Sequence, residues 1–222
     1  MKLREKANEI FAWGLSKRHD DVVFAWENHS RAAGKVAEKI AEKSGLDSDK
    51  AYAAGLLHDI GRYKGPNTGM MHVVDGYDLL MEHGLEDIAR ICLTHSFNPR
   101  EKVYDVTLSE GDKDKFLKDY MSKVKFDDYD KLVQLSDFMA GAHGVTTIER
   151  RFCSVLWRHG LKNPAEDLTT LYDLKQYFSD KAGIDVYELF RDDIAESQFK
   201  GIPGKITHEK VSKKWEKSDE EI

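Results

Sequence analysis

Apolar residues recur at spacings of three and four along nearly the whole chain, which is the period of an amphipathic helix. Over residues 22–43 this stripe holds Trp26, Ala33, Val36 and Ile40. Only four prolines occur and runs of β-branched residues are scarce, so few segments favour strands or break a helix. The sequence therefore predicts an all-α fold.

Chain length and composition bound the domain organisation. With 222 residues, of which 41% are hydrophobic, the chain can bury a substantial core. We expect a helical domain over residues 1–145, further helices over 146–200 packed on the same domain, and a charged, loosely ordered tail over 201–222.

Charge and cysteine usage limit the functional classes. The formal net charge is −6, so no global positive field attracts nucleic acid or an anionic membrane. Cys92 and Cys153 lie far apart without a CxxC partner, which fits a reducing compartment, and we expect both to be core thiols. The charged N-terminal stretch lacks an apolar signal core, and no segment approaches the length of a membrane span. We therefore expect a cytoplasmic protein.

The periodicity also predicts the individual helices. One helix follows the capping segment LDSD and runs into His58. Residues 98–125 are expected to form a surface excursion with a short extended piece, VYDVTL, and a charged helix, EGDKDKFLKDYMSK. The other helices are expected over residues 3–16, 22–43, 70–81, 85–94, 129–141, 146–159, 168–181 and 186–196.

The dipeptide His58-Asp59 ends an Ala/Leu-rich helical segment, AYAAGLLHDIGR. A His-Asp pair alone is weak evidence of a site, since about one is expected by chance in such a chain. A second pair, His19-Asp20, lacks an apolar approach and is expected to be a capping segment. His58-Asp59 differs because an apolar helix leads directly into it and stops at Gly61.

Six polar side chains fall on apolar stripes or at helix ends beside the core. Taken singly, a histidine on an apolar face is more often a hydrogen-bonded core residue than a ligand. Several such groups, each offered by a separate helix, predict a metal site in the core of a helical bundle. Their mix of nitrogen and oxygen atoms suits first-row divalent ions. The six residues are His29, His58, Asp59, His72, His95 and Asp137.

The order of these residues resembles that of the HD-domain superfamily of metal-dependent phosphohydrolases. The resemblance spans about residues 26–141, through HDIG at residues 58–61, MHVVDGYDLL, the HS at His95 and LVQLSD. It implies a helical HD-domain bundle in which one metal is held by His29, His58, Asp59 and Asp137. It further implies that His72 and His95 hold a second metal, with Asp59 bridging the two.

The resemblance implies hydrolysis of a phosphomonoester, a phosphodiester or a nucleotide phosphoanhydride by a hydroxide held between two divalent ions. Iron or manganese is favoured, and zinc, cobalt or nickel would also suit the ligands. We assign catalytic roles to His58, Asp59 and Arg62. We expect Arg62, Lys64 and Arg31 to bind the phosphate of a small phosphorylated or nucleotide substrate.

Two alternative functions stay open at this point. Diiron HD-domain oxygenases of the inositol-oxygenase kind share the ligand order, and a non-catalytic nucleotide-binding module would also keep the fold. The HDIGR stretch and its adjoining cations favour the hydrolase branch. Mononuclear nucleotidases of the superfamily carry an acidic residue shortly after the His-Asp pair, where this chain has Gly61, Arg62 and Tyr63. This difference counts against a mononuclear 5′-nucleotidase.

Residues around these six carry three further expectations. Asp75 and Asp78 follow His72 and could accept hydrogen bonds from ligand imidazoles. His143 precedes a glycine and is expected in a turn. C-terminal aromatic residues are expected to pack their helices onto the domain, with a substrate lid as the alternative; they are Tyr172, Tyr177, Phe178, Tyr187 and Phe190.

Overall fold

The computed structural model describes residues 2–66, 68–97 and 108–198. Almost all secondary structure in this part of the chain is helical, which confirms the predicted all-α class. The first half forms α1 (Leu3–Ser16), α2 (Val23–Ser44), α3 (Ser48–Leu57), a 3₁₀ helix (Ile60–Lys64), α4 (Met71–Glu82) and α5 (Glu86–Thr94). The second half forms α6 (Gly111–Lys123), α7 (Asp128–Phe138), the strands β1 (Ala140–Gly141) and β2 (Gly144–Val145), α8 (Ile148–His159), α9 (Pro164–Ala182), α10 (Val186–Leu189) and α11 (Arg191–Gln198).

Helices α2 and α3 pack closely because small residues line their contact. A Cβ atom on Gly55 would lie 2.6 Å from the carbonyl oxygen of Ala33, so only glycine allows this approach. Asp47 accepts a hydrogen bond from the backbone N–H of Lys50 and caps α3, as the LDSD segment predicted. The close contact brings His29 of α2 and His58 at the end of α3 to the same point of the core.

The buried hydrophobic residues form two large clusters and a smaller third one that packs α4, α5 and α6 together. One large cluster includes Phe11, Leu57, Ile60 and Leu80, which pack α1, α3, the 3₁₀ helix and α4 together. The other large cluster joins α2 and α7 to the C-terminal helices. Phe178 and Phe190 are almost completely buried in that second large cluster, which confirms their predicted packing role.

Several element boundaries differ from the expected ones. α7 ends at Phe138, and β1 and β2 form a short antiparallel hairpin whose turn contains His143, as expected for that residue. α9 begins at Pro164, since proline suits the first position of a helix. The expected helix over residues 186–196 is divided near Phe190 into α10 and α11. The charged helix predicted in EGDKDKFLKDYMSK is α6.

The prediction that both cysteines are core thiols is wrong for Cys153. Cys92 is buried, whereas Cys153 is exposed because it lies beside the buried stripe of α8 that contains Ile148 and Phe152. Most of the VYDVTL segment and the tail over residues 201–222 lie outside the described residues. Among the described residues, no helix combines the length and the apolar character needed to cross a membrane.

Candidate metal centre

The six predicted ligands come from separate elements and meet in the core. His29 lies within α2, His72 lies in the first turn of α4, and Asp137 lies in the last turn of α7. His58 and His95 directly follow the last residues of α3 and α5. Asp59 directly precedes the 3₁₀ helix. The four histidines and Asp59 are buried, and the Asp137 side chain is 16% exposed, so the cluster is open to solvent mainly beside Asp137.

All four imidazoles are oriented by the same kind of hydrogen bond. In each ring the Nδ1–H donates to a backbone carbonyl, and a carbonyl can only accept. The Nε2 atom of each neutral ring is therefore the one with a lone pair, and at His95 this atom also lies 2.8 Å from the Ser96 hydroxyl, which can donate to it. The acceptors are Ala140 for His29 (3.0 Å), Gly55 for His58 (2.7 Å), Gly69 for His72 (2.5 Å) and Cys92 for His95 (2.9 Å).

Three of these carbonyls belong to the residue three positions before the histidine. Those of Gly55 and Cys92 lie in the last turns of α3 and α5, where carbonyls lack a partner within the helix and can accept from a side chain, whereas Gly69 precedes α4. At His72 the backbone carbonyl of Gly69 thus accepts the hydrogen bond that was considered for Asp75. The Asp75 carboxylate accepts hydrogen bonds from Lys64 and Lys113 instead. Asp75 therefore neither accepts from a ligand imidazole nor faces water as such residues more often do, since it is buried and paired with these two lysines.

The Nε2 atoms of His29 and His58 face each other at 3.2 Å. Burial lowers the pKa of His58 to about 4, so this ring is neutral at pH 7. Two lone pairs at this distance repel unless a cation lies between them. Two ligands bound to one ion at about 2.1 Å and at right angles would stand about 3 Å apart, so the spacing fits a shared metal ion.

Asp59 divides its two oxygens between two groups of histidines. Its Oδ2 lies 4.0 Å from His29 Nε2 and 3.9 Å from His58 Nε2. Its Oδ1 lies 3.1 Å from His72 Nε2 and 3.5 Å from His95 Nε2. Asp59 Oδ1 is buried without a hydrogen-bond partner, although such an atom normally has one. This orphaned oxygen between acceptor nitrogens fits a bound cation.

Asp137 completes the group around His29. Its Oδ1 lies 3.2 Å from His29 Nε2 and 4.0 Å from His58 Nε2. Burial by itself would raise the pKa of Asp137, but its interactions with His29, His58 and Arg151 outweigh burial and hold this pKa well below its ordinary value. Burial is likewise outweighed at Asp59, chiefly by the charge of Arg62, so the pKa of Asp59 is also well below its ordinary value. Both carboxylates are therefore ionised at neutral pH.

The ligand atoms form three overlapping groups in which all atoms lie within 4.8 Å of one another. Asp59 belongs to two of the groups. The donor set could therefore hold a divalent metal ion and suits the metals that the resemblance implies. The groups are His29, His58 and Asp59; His58, His95 and Asp137; and Asp59, His72 and His95.

The three predicted phosphate-binding cations have different surroundings. Arg62 donates from Nε to Asp59 Oδ2 at 2.6 Å, and its Nη2 lies 3.4 Å from His72 Nε2. Lys64 forms an ion pair with the buried Asp75 at 2.7 Å. Arg31 pairs with Glu27 on the exposed face of α2. Of these three cations, Arg62 is therefore the one placed at the ligand cluster.

Two arginines on α8 were not expected at this site. Arg151 Nη2 lies 3.6 Å from Asp137 Oδ1, and Arg151 Nε is buried without a hydrogen-bond partner. Arg158 lies seven residues further on, and hence on the same face of the helix. The seven-residue spacing was visible in the sequence, but an amphipathic helix with charged residues on one face is usually a solvated surface helix.

Gly61, the glycine of the HDIG motif, allows the 3₁₀ helix to contact α4. A Cβ atom at this position would lie 2.0 Å from the carbonyl oxygen of His72 and 2.6 Å from the backbone nitrogen of Gly76. Both contacts are with backbone, which cannot move aside as a flexible side chain could. The motif thus fixes the distance between Asp59 and His72.

Comparison with known proteins places this geometry in a family context. The family model described as HD domain matches residues 26–140, which include all six clustered residues. Ribonuclease Y of Mycoplasma capricolum is 33% identical over 78 residues, covering 35% of this chain and 15% of that protein. Ribonuclease Y of Thermotoga petrophila is 38% identical over 69 residues, covering 31% and 14%.

A third relative has a different name. The tRNA (cytidine(56)-2'-O)-methyltransferase of Thermoplasma volcanium is 38% identical over 60 residues, covering 27% of this chain and 17% of that protein. This chain thus spans less than a fifth of the length of each of these curated relatives. No solved structure gives a significant match.

Proposed function

The chain belongs to the HD-domain family, as the match over residues 26–140 shows, and we propose that it is a dinuclear metal-dependent phosphohydrolase. The observation that carries this proposal is the division of Asp59 between two groups of imidazoles. One carboxylate oxygen faces His29 and His58, and the other, which has no hydrogen-bond partner, faces His72 and His95. A carboxylate in this position is suited to bridge two ions.

The metal ions would supply Lewis acidity toward a phosphoryl oxygen and would lower the pKa of a coordinated water. The residues of the chain hold and orient the reacting groups. His29, His58, His72 and His95 present Nε2 lone pairs because backbone carbonyls hold their Nδ1–H groups. Arg62 lies beside Asp59, where its guanidinium can bind oxygens of a phosphoryl group. Iron or manganese remains our preferred metal, and zinc, cobalt and nickel fit the same ligands.

A small phosphorylated or nucleotide substrate is the substrate class that we propose. The net charge of −6 provides no global attraction for a long polyanion. The names of two relatives refer to ribonuclease activity, so an RNA phosphodiester belongs in the same test. The free thiols Cys92 and Cys153 fit the reducing cytoplasm, which we propose as the location.

The test combines metal analysis with an activity panel on the same protein sample. We expect about two ions per chain after loading with iron or manganese, counted by elemental analysis. We expect metal-dependent hydrolysis in a panel of phosphomonoesters, phosphodiesters, nucleotide phosphoanhydrides and RNA. The variant His72→Ala should lose about one ion and most activity, because it removes a ligand of the His72–His95 group.

The matched control is His83→Ala, which removes an exposed imidazole outside the cluster. It should keep both ions and full activity. A single ion in fully loaded wild-type protein would refute the dinuclear site. Turnover that occurs with oxygen and stops without it would instead support the diiron oxygenase, and full metal occupancy without any turnover would support a non-catalytic binding module.

A further inference from the structure

Helix α8, which lies outside the family match, carries two arginines on one face, and the first of them contacts the metal cluster. The match ends at residue 140, and α8 begins at Ile148. Arg151 Nη2 lies 3.6 Å from Asp137 Oδ1. Arg158 is two helical turns beyond Arg151, about 10 Å along the axis at 1.5 Å per residue. The side of the cluster near Asp137 is also its most exposed side, so α8 borders the entrance to the site.

Arg62 approaches the same cluster from the 3₁₀ helix. Its Nε donates to Asp59 Oδ2 at 2.6 Å. Desolvation of the Arg158 guanidinium and then the charges of Arg151 and Arg62 lower the pKa of Arg158, whereas the charge of Asp137 raises it. Arg62 and Arg151 therefore lie at the cluster, and Arg158 lies two turns further along the same face of α8.

The hydrogen-bond capacity of these arginines is incompletely used among the described residues. Arg62 and Arg151 pair with Asp59 and Asp137, which are both candidate metal ligands. Arg158 donates to the carbonyl oxygen of Ser154 at 3.2 Å, and Arg151 Nε is buried without a partner. Divalent ions at the cluster would compete for the two carboxylates and add positive charge, which leaves guanidinium donors available for an anion.

The C-terminal helices hold α8 in this position. The backbone N–H of Ile148 donates to the hydroxyl of Tyr187 at 2.9 Å, and that hydroxyl donates to Glu149 at 3.0 Å. Tyr172 donates to the other oxygen of Glu149 at 2.8 Å. The first turn of α8 is thus fixed by side chains from α9 and α10, so the guanidinium groups are carried by an anchored helix.

We propose that Arg151 and Arg158, together with Arg62, form a second anion subsite beside the metal centre, selecting substrates with a further phosphoryl group linked to the one that is cleaved. A nucleotide phosphoanhydride has this chemistry, whereas a simple phosphomonoester does not. The inference rests on the proposed phosphohydrolase function and names its substrate class. It also assigns a specificity role to a helix that the family match does not include.

The test measures binding of two non-hydrolysable probes to the full chain loaded with manganese. Methylenediphosphonate carries two linked phosphoryl groups, and methylphosphonate carries one. Isothermal titration calorimetry gives the dissociation constants, and elemental analysis after each titration verifies that the metal stays bound. We expect wild-type protein to bind methylenediphosphonate at least about tenfold more tightly, as one added charge-assisted hydrogen bond would provide.

Variants identify the contribution of α8. Arg158→Gln and Arg151→Gln should each weaken binding of methylenediphosphonate by about tenfold and binding of methylphosphonate by less than about threefold. The control Arg191→Gln removes the same charge from an exposed position on α11 and should leave both constants unchanged. Circular dichroism and metal content establish that each variant is folded. Arg158→Gln changes an exposed residue and is therefore the variant expected to disturb the fold less.

Equal losses for both probes in Arg158→Gln and Arg151→Gln, or no loss for either probe, would overturn the second subsite. Tighter, arginine-dependent binding of a single-stranded RNA oligonucleotide than of methylenediphosphonate would also overturn it, in favour of an RNA substrate. Wild-type protein that holds two ions and hydrolyses phosphomonoesters but does not discriminate between the probes would refute this subsite alone. Protein that holds no metal would refute the proposed function itself.

Discussion

A backbone hydrogen bond at Nδ1 determines which ring nitrogen of each clustered histidine can bind a metal. A buried histidine without such a bond could present either ring nitrogen, whereas these four rings present Nε2 toward one another. For His58 and His95 the acceptor carbonyl lies at the end of the same helix, three residues earlier. The ligand set is therefore oriented largely by where the helices end.

Titration of His58 tests whether burial keeps this imidazole neutral, which is the form that can bind a metal. Burial lowers its pKa to about 4, compared with about 6.5 for an exposed histidine. Because the folded pKa is lower than the unfolded one, metal-free protein should lose stability as the pH falls from about 6.5 to about 4. NMR of the metal-free protein, with His58→Gln to assign the ring signals, should give a midpoint near pH 4. A midpoint near 6.5 would contradict the buried, neutral ring.

Substitution of Gly61 tests the backbone contact between the 3₁₀ helix and α4. In Gly61→Ala the new Cβ would lie 2.0 Å from the carbonyl oxygen of His72, so one of the two segments must move. We expect the free energy of unfolding, measured by urea denaturation, to fall by about 1–3 kcal/mol. Gly111→Ala is the matched control, since no atom lies within 4 Å of its added Cβ. Equal effects of the two substitutions would argue against the close contact.

At the scale of elements, the hairpin after α7 has a role that periodicity could not predict. The pattern DKLVQLSDFMAG stays helical to its end, yet α7 stops at Phe138. As a result the carbonyl oxygen of Ala140 is free to accept from His29 Nδ1, and Asn28 donates to the carbonyl oxygen of Ala142. This ending depends on tertiary contacts with α2, which a local sequence pattern does not contain.

The helices and the positions of the six clustered residues could be predicted because their information is local. His29 shares an apolar stripe with Ala33 and Val36, and His58 ends an apolar helix. The position of Arg151 depends instead on how α8 packs against α7 and α9 after the chain has turned through the hairpin. The partner of Lys64 was also not predictable, since Asp75 lies on α4 and also accepts a hydrogen bond from Lys113 of α6.

Asp128 links α7 to α9 and provides a test of how the C-terminal helices are held. Burial alone would raise its pKa, but hydrogen bonds from Lys181 and Tyr177 outweigh burial and lower the pKa to about 2. Because the folded pKa is below the ordinary value of 3.8, these bonds stabilise the fold above about pH 4 and stop doing so as the pH falls toward 2. Asp128→Asn should lower the free energy of unfolding at pH 7 by about 1 kcal/mol, after discounting for solvent screening.

Urea denaturation at pH 7 and pH 3 measures this difference between wild type and Asp128→Asn. The difference should be smaller at pH 3 than at pH 7. Asp119→Asn removes a more exposed carboxylate on α6, which pairs with Lys123, and should change the free energy of unfolding by less than about 0.5 kcal/mol at both values. A difference for Asp128→Asn that does not depend on pH would show that its effect is not electrostatic.

At the scale of the whole molecule, the candidate metal centre contains residues from elements of both large hydrophobic clusters. His58 follows α3 and His95 follows α5, whose apolar residues belong mainly to one cluster. Asp137 belongs to α7, which packs mainly in the other cluster, and His29 belongs to α2. Ions bound by all of these residues would tie both clusters together, and they would bind the folded chain in preference to the unfolded one.

Metal removal therefore tests the architecture as well as the site. At a free metal concentration about 100 times Kd, binding to the folded state should add about 2.7 kcal/mol, which is about 5–10 °C in Tm for a chain of this size. Chelation should lower the Tm of loaded wild-type protein by that amount, as measured by differential scanning calorimetry. His83→Ala should show the same loss, whereas His58→Gln should show almost none, because the substitution removes a ligand shared by two of the three groups. An unchanged Tm on chelation would mean that the six residues hold no ion across the core, and their convergence would then be a purely structural polar cluster.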